Sequence, residues 1–261
     1  MEIAYIRVGS GVPLVLLHAF PFSSEMWAAQ RGGLSREADV ITVDQRGFGD
    51  SAGPDAFAGT SPDLNVVAGD LAELLDRLAL RDVVLGGLSM GGYVAMAFLR
   101  RHAERVRGLI LANTKASADS PDAAANRLRI ADAVEQAGHA ELLAAELGPK
   151  LVSAESKRRD PELMHRVESM LRAAPPDAVA WAQRAMAARP DSFDVLRALE
   201  IPVLVVAGEQ DALMPGAEAG AMVSAARTGE LVVVPEAGHL TALETPREFN
   251  TAVSGFLKQF P

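Results

Sequence analysis

The sequence predicts an α/β protein, with a mostly parallel central sheet flanked by helices and a helical segment inserted into it. Three observations carry this expectation. Short β-branched runs alternate with segments at helical spacing: VPLVLLH, ADVITVD, LNVVAGDLAELLDRLAL, RDVVLGG, YVAMAFLRRHA and VRGLILANT. That is the rhythm of βαβ units. The near-continuous apolar character of DVVLGG and GLILAN fits strands buried on both faces. From about Ala116 to Arg189 the strand pattern stops, and a stretch rich in Ala, Arg, Glu and Leu begins. It is broken at Pro121, Gly148-Pro149, Pro161, Pro175-Pro176 and Pro190 and reads as about four helices. The strand–helix rhythm returns with IPVLVVAGE, PGAEAGAMVSAAR, ELVVVPE and a last helix, TPREFNTAVSGFLKQF. The expected organisation is a core of residues 1–115 and 191–261 with a helical cap, 116–190, inserted.

With 261 residues, 49% of them hydrophobic, the chain is long enough to bury a full core. A formal net charge of -9 argues against nucleic acid as a partner, since no basic stripe is present to displace counterions from phosphate. The chain has no cysteine, which excludes disulfides, thiol nucleophiles and thiolate metal sites. The start, MEIAYIRVGSG, lacks the basic and apolar regions of a signal peptide, and no apolar run reaches membrane-spanning length. A cytoplasmic protein with no membrane partner is the expectation; oligomeric state is left open.

Chemistry enters at Gly87-Leu88-Ser89-Met90-Gly91, a G-x-S-x-G pattern between a predicted strand and a predicted helix. Such a turn is so tight that side chains two residues either side of the serine would collide, so both positions call for glycine and the serine stands exposed and strained. The helix start also aims free N–H groups at the site. The plainer alternative is Ser89 as an ordinary N-cap.

A serine hydroxyl needs a base to take its proton. Of five histidines, His102 and His139 fall in helices or their ends, His165 lies in the insertion, and His18 ends the run VPLVLLH. His239, in PEAGHLTALETP, follows a strand and precedes the last helix. It can therefore swing over the C-terminal edge of the sheet, where ligands bind in such folds. The base in turn needs an orienting carboxylate. Asp211, in GEQDALMP, follows a strand's C-terminal end, and the order Ser, Asp, His is the one expected with this elbow. Alternatives are a plain turn role for Asp211 and a rival acid in Asp119. Asp191 and Asp194 precede their strand and sit at the wrong end.

Four motif regions, VLLHAFPFSSEMW, VDQRGFGDS, GLSMGGYVAM, and GEQDALM with EAGHLTALETP, resemble those of the α/β-hydrolase superfamily, in its carboxylesterase and enol-lactonase-like branch. The likeness covers essentially the whole chain outside the insertion. It implies an oxyanion hole made by the backbone N–H groups of Phe20 and Met90. Ala19 departs from the commoner glycine, so this loop must do without a glycine-only backbone angle. His18 and the stretch Asp44-Gln45-Arg46-Gly47-Phe48-Gly49 read as structural, tying loops together.

The implied reaction is acyl transfer to water through an acyl-enzyme, with no metal or organic cofactor. Serine rather than aspartate at the apex argues against the dehalogenase and epoxide-hydrolase branches. The expected partner is a small-molecule ester of small to medium acyl chain, or a lactone. Expected pocket residues, beside Phe20 and Met90, are Trp27, Met164, Met170, Trp181, Met186 and Met214, although such residues at helical spacing often belong to plain core. The basic residues of the insertion, among them Lys157, Arg158, Arg159, Arg172, Arg184 and Arg189, read as a solvated face. A second reading has them attract anions, as in the similar carrier-protein methyl ester esterases, or bind a substrate carboxylate, as in the similar 3-oxoadipate enol-lactone hydrolases. Related triads also perform perhydrolysis or carbon–carbon cleavage. A reading of another class is a small-molecule receptor that turns over slowly.

Overall fold

The computed structural model describes residues 1–260. Among these, seven strands form one sheet: β1 (Tyr5–Gly9), β2 (Val12–Leu17), β3 (Ala38–Val43), β4 (Val83–Leu88), β5 (Val106–Ala112), β6 (Val203–Gly208) and β7 (Gly229–Val234). Their spatial order is β1-β3-β2-β4-β5-β6-β7. Every neighbouring pair is parallel except β1 with β3.

The six parallel strands are those the apolar runs predict, and β3 and β4 are buried along their whole length. Helices on both faces demand this, because a strand covered twice has no solvent side to alternate toward. The sequence reading passes over β1. Its residues alternate between exposed and half-buried positions, and it is held at the sheet edge by a bidentate bond from Arg7 to Asp39, with Nε–Oδ1 at 2.9 Å and Nη2–Oδ2 at 2.7 Å. A short edge strand with a weak period-2 pattern gives little signal.

Strand order reverses at β2: β3 lies on one side of it and β4 on the other. A crevice opens outside the carboxyl ends of strands at such a switch point. Around the sheet run α1 (Ala28–Leu34), α2 (Leu64–Arg77) and α3 (Met90–His102). Between β5 and β6 the chain is helical: α4 (Pro121–Ala137), α5 (Glu141–Glu146), α6 (Gly148–Leu151), α7 (Ala154–Arg159), α8 (Pro161–Ala173), α9 (Pro176–Ala187) and α10 (Phe193–Ala198). The last third adds α11 (Gly216–Ala225), α12 (Thr241–Glu244) and α13 (Pro246–Leu257).

Residues 116–190 thus hold six helices rather than about four. Three of the six, α5 to α7, are short pieces that pack against α8 or one another, while α4 packs on α9. Pro121, Pro161 and Pro176 occupy first turns, where the missing N–H would have had no partner. These prolines start helices as much as they end them. Most arginines of this stretch lie in surface ion pairs: Arg184 with Asp132 and Glu135, Arg172 with Glu141 and Glu168, Arg166 with Asp160. Arg189 departs from the expected solvated face. It is 8% exposed and its guanidinium stacks on the Tyr93 ring, 3.9 Å from the centroid.

The turn after β3 ties loops together. Asp44 accepts from Ser24 N at 2.6 Å and Asp50 N at 2.9 Å, Gln45 bonds His18, and Arg46 grips Asp70 at 2.6 and 2.7 Å and the Ala56 carbonyl at 2.5 Å. No helix among the described residues is long and apolar enough to cross a membrane.

Candidate active site

Ser89 sits between the end of β4 and the start of α3, with φ 55° and ψ −112°. A non-glycine residue in that region carries strain of roughly 1–3 kcal/mol, sustained only by firm surroundings. Those surroundings are visible. A β-carbon on Gly87 would run into the backbone of Gly91, and one on Gly91 into the carbonyl of Leu17. Ser89 N donates to Ala112 O at 2.9 Å, and Thr114 Oγ1 donates to Ser89 O at 2.8 Å. The serine side chain makes no capping bond to α3, so the N-cap alternative does not describe it.

His239 lies in the loop between β7 and α12 and is 2% exposed. Its Nδ1 is 2.9 Å from Asp211 Oδ2 and 3.1 Å from Oδ1. Asp211, past the end of β6, also accepts from Leu213 N at 2.8 Å and Met214 N at 3.0 Å. Burial works to raise its pKa, but the hydrogen bond and charge of His239, the Asn113 amide and the Leu213 N–H outweigh that and hold it below the usual carboxylate range. The alternative acid, Asp119, is bonded to cations and not to His239: it is ringed by Lys115 at 3.1 Å, Arg127 at 2.5 Å and Arg189 at 2.8 Å. Burial again opposes ionisation there, and the flanking guanidiniums overcome it, keeping the carboxyl well below its ordinary range.

Ser89 and His239 line one cavity of about 280 Å³. No hydrogen bond joins the two side chains among the described residues. The cavity wall is mostly apolar, with Ile130, Leu142, Leu143, Leu147 and Leu151 from the helices after β5. Lys115, Asp119 and Arg127 add a charged side.

Of the expected pocket residues, Phe20, Met186 and Met214 line this cavity, and Met90, Trp27, Trp181, Met164 and Met170 do not. Trp27 is fully buried against Phe249, ring centroids 5.8 Å apart. Trp181 stacks on Phe57 at 5.0 Å. Met164 and Met170, on α8, pack against the core, and Met170 lines a separate groove beside α1. Helical spacing marks a buried face without saying which neighbour covers it.

The two backbone groups expected to form an oxyanion hole lie at the same sheet edge: Phe20 borders the cavity, and Met90 opens α3, where the N–H has no intrahelical partner. Positive φ outside glycine is confined, among the described residues, to Ala79, Ser89, Asn113 and Glu236, so Ala19 keeps an ordinary backbone. His18, fully buried, has its pKa pushed down to about 4 by that burial. Its Nδ1 bonds Ala19 O at 2.9 Å, and Gln45 N donates to its Nε2 at 3.0 Å. Both nitrogens are occupied by the loop.

The sequence reading does not single out Asn113, Lys115, Arg127 or Glu244. Glu244 accepts from Gly238 N at 2.9 Å and Leu240 N at 3.0 Å, on either side of His239, and from Ser153 N at 2.9 Å. The one available signal is its place five residues past His239 in a compact loop. Among the described residues no cluster of three or more His, Cys, Asp or Glu side chains is placed to hold a metal ion.

A largely parallel sheet whose switch point presents a strained serine is the architecture of the hydrolases built on such sheets. The chain belongs to that family: the family model described as alpha/beta hydrolase fold matches residues 12–246. Among solved structures it is similar to a thermophilic esterase from Thermogutta terrifontis, 41% identical with a TM-score of 0.93, over 98% of this chain and 93% of that one. It is also similar to the enol-lactonase from Burkholderia xenovorans LB400, 26% identical, TM-score 0.87, over 98% of this chain and 96% of that one. A curated relative, 3-oxoadipate enol-lactonase 1 of Acinetobacter baylyi, is 29% identical over 89% of this chain and 84% of its own length.

Proposed function

We propose that this hydrolase cleaves carboxylic esters of small to medium acyl chain with Ser89 as nucleophile, His239 as base and Asp211 as its orienting acid. The observation that carries the reading is the 2.9 Å contact of His239 Nδ1 with Asp211, on the cavity that Ser89 also lines. Asp211 accepting at Nδ1 leaves Nε2 unprotonated in the neutral ring, free to take the serine proton. Ser89 Oγ then attacks the ester carbonyl, and the oxygen turning negative is met by the N–H groups of Phe20 and Met90. Losing one such donor typically costs about 10²- to 10³-fold in rate. The imidazolium returns its proton to the leaving alcohol, and water activated by the same ring releases the acid. Helices of residues 116–190 act as a cap that closes the cavity from above.

A cavity of about 280 Å³ with a mainly apolar wall suits a small substrate. The esterase and the enol-lactonases among the similar proteins support this class of chemistry. A second reading, hydrolysis of a lactone that bears a free carboxylate, is favoured by Lys115 and Arg127 on the cavity wall, where three cations share the single charge of Asp119.

Steady-state hydrolysis of p-nitrophenyl acetate and butyrate, with a fluorophosphonate label mapped to its peptide, tests the main reading. Turnover abolished in Ser89→Ala and label on Ser89 are expected. Activity unchanged in Ser89→Ala would overturn it.

A further inference from the structure

Asn113, directly after β5, is 2% exposed and has φ 44°. Its Nδ2 donates to Asp211 Oδ2 at 2.9 Å and to the carbonyl of Gly238 at 3.2 Å. Neither of those oxygens carries a proton at neutral pH, so the amide faces them with its NH2 group and the opposite flip is ruled out. Thr241 Oγ1 then donates to Asn113 Oδ1 at 2.7 Å. The backbone is also fixed, with Asn113 N donating to Val206 O on β6 at 2.9 Å. One side chain therefore joins four elements: the end of β5, the loop of Asp211, the residue before His239, and the start of α12.

The left-handed backbone matters here. It is unfavourable for most side chains and tolerated by asparagine, and strain of this kind persists where the surroundings require it. The Asn113 amide supplies Oδ2 with a donor that does not come and go with the state of the imidazole. Leu213 N and Met214 N hold Oδ1 of Asp211, and Asn113 is the side chain that holds Oδ2, the oxygen 2.9 Å from the ring.

We infer that Asn113 is a positioning residue for the Asp211–His239 pair, holding the acid and the loop of the base in one geometry through its two amide donors. The inference rests on the function proposed above. It predicts an effect on turnover and not on substrate binding, since Asn113 acts through Asp211 and the Gly238 carbonyl.

Asn113→Gly removes the amide while keeping a residue at ease with positive φ. It is expected to lower kcat by about 10- to 100-fold, the size of a hydrogen bond to a charged group, with KM within about twofold of wild type. The low-field proton resonance of His239 Nδ1–H is expected to shift or broaden. Asn113→Asp places a second anion beside the pair, and the acidic limb of the kcat/KM profile should move up by about one pH unit or more. A purely structural role leaves the resonance of the folded Asn113→Gly protein unmoved, whereas the limb in Asn113→Asp reports the added charge. Should Asn113→Gly fail to fold, Thr241→Val, which removes only the hydroxyl donor to Oδ1, is read the same way, with kcat down about 3- to 10-fold.

Turnover within twofold of wild type in the folded Asn113→Gly protein, with the Nδ1–H resonance unmoved, would overturn the inference while Asp211→Asn still loses activity. If Asp211→Asn is itself fully active, the function proposed above fails instead.

Discussion

His239 Nδ1 and Asp211 Oδ2 meet at 2.9 Å with both side chains withdrawn from solvent, 3% and 1% exposed. In that setting the carboxylate fixes the ring's tautomer and, in the acyl transfer proposed above, would offset the positive charge formed on it. Asp211→Asn keeps the shape and presents the wrong group to Nδ1. The expected result is a fall in kcat of about 10⁴-fold with near-normal folding, measured by p-nitrophenyl ester turnover beside circular dichroism. A loss of less than tenfold would point to another acid.

Glu244 holds the loop rather than the ring. Its carboxylate takes N–H bonds from Gly238, Leu240 and Ser153, and His239 N and Leu240 N both donate to Leu151 O, at 3.1 and 3.2 Å. Glu244→Ala leaves two buried donors, Gly238 N and Ser153 N, without partners, each worth roughly 1–3 kcal/mol, while Leu240 N keeps Leu151 O. Urea denaturation should register a loss of at least about 2 kcal/mol, and kcat of the folded protein should fall as His239 loses its frame. Stability equal to wild type would show that water replaces the carboxylate.

His18 makes stability depend on pH. Its folded pKa, about 4, lies below the ordinary histidine value because the ring is buried. Between about pH 4 and 6.5 the unfolded chain therefore binds a proton that the folded chain does not. The stabilisation is complete above about pH 6.5 and is lost as pH falls towards 4, a swing on the order of 3 kcal/mol. Unfolding free energies at pH 4.5, 5.5 and 7 should rise with pH, and His18→Asn should flatten that rise by about one proton. Equal slopes in the two proteins would refute the assignment.

Arg46 and Asp70 form a buried ion pair, 8% and 2% exposed, with contacts of 2.6 and 2.7 Å. Removing one charge strands the other. Asp70→Asn is expected to cost about 3–5 kcal/mol of stability, while kcat per folded molecule stays at the wild-type level, because the pair lies outside the cavity lined by Ser89 and His239. A selective loss of kcat would place Arg46 in the chemistry.

The sequence by itself determined the α/β class, the six parallel strands and the strained turn at Ser89, because each is written in neighbours a few residues apart. Two glycines flanking a serine, or an apolar run of six, constrain local backbone whatever the rest of the chain does. Tertiary structure decided what meets across long stretches of chain. Asp119 and Asp211 both follow strand ends, and only the folded distances show that one faces three cations and the other faces His239. Asn113 reaches Asp211 across 98 residues and Thr241 across 128, and no local pattern encodes such a contact. Trp27 and Trp181 illustrate the same limit: their spacing announces burial, while Phe249 and Phe57 lie beside them because of how separate elements pack. Periodicity reports which face of an element turns inward, and the partner on that face is set by the whole fold.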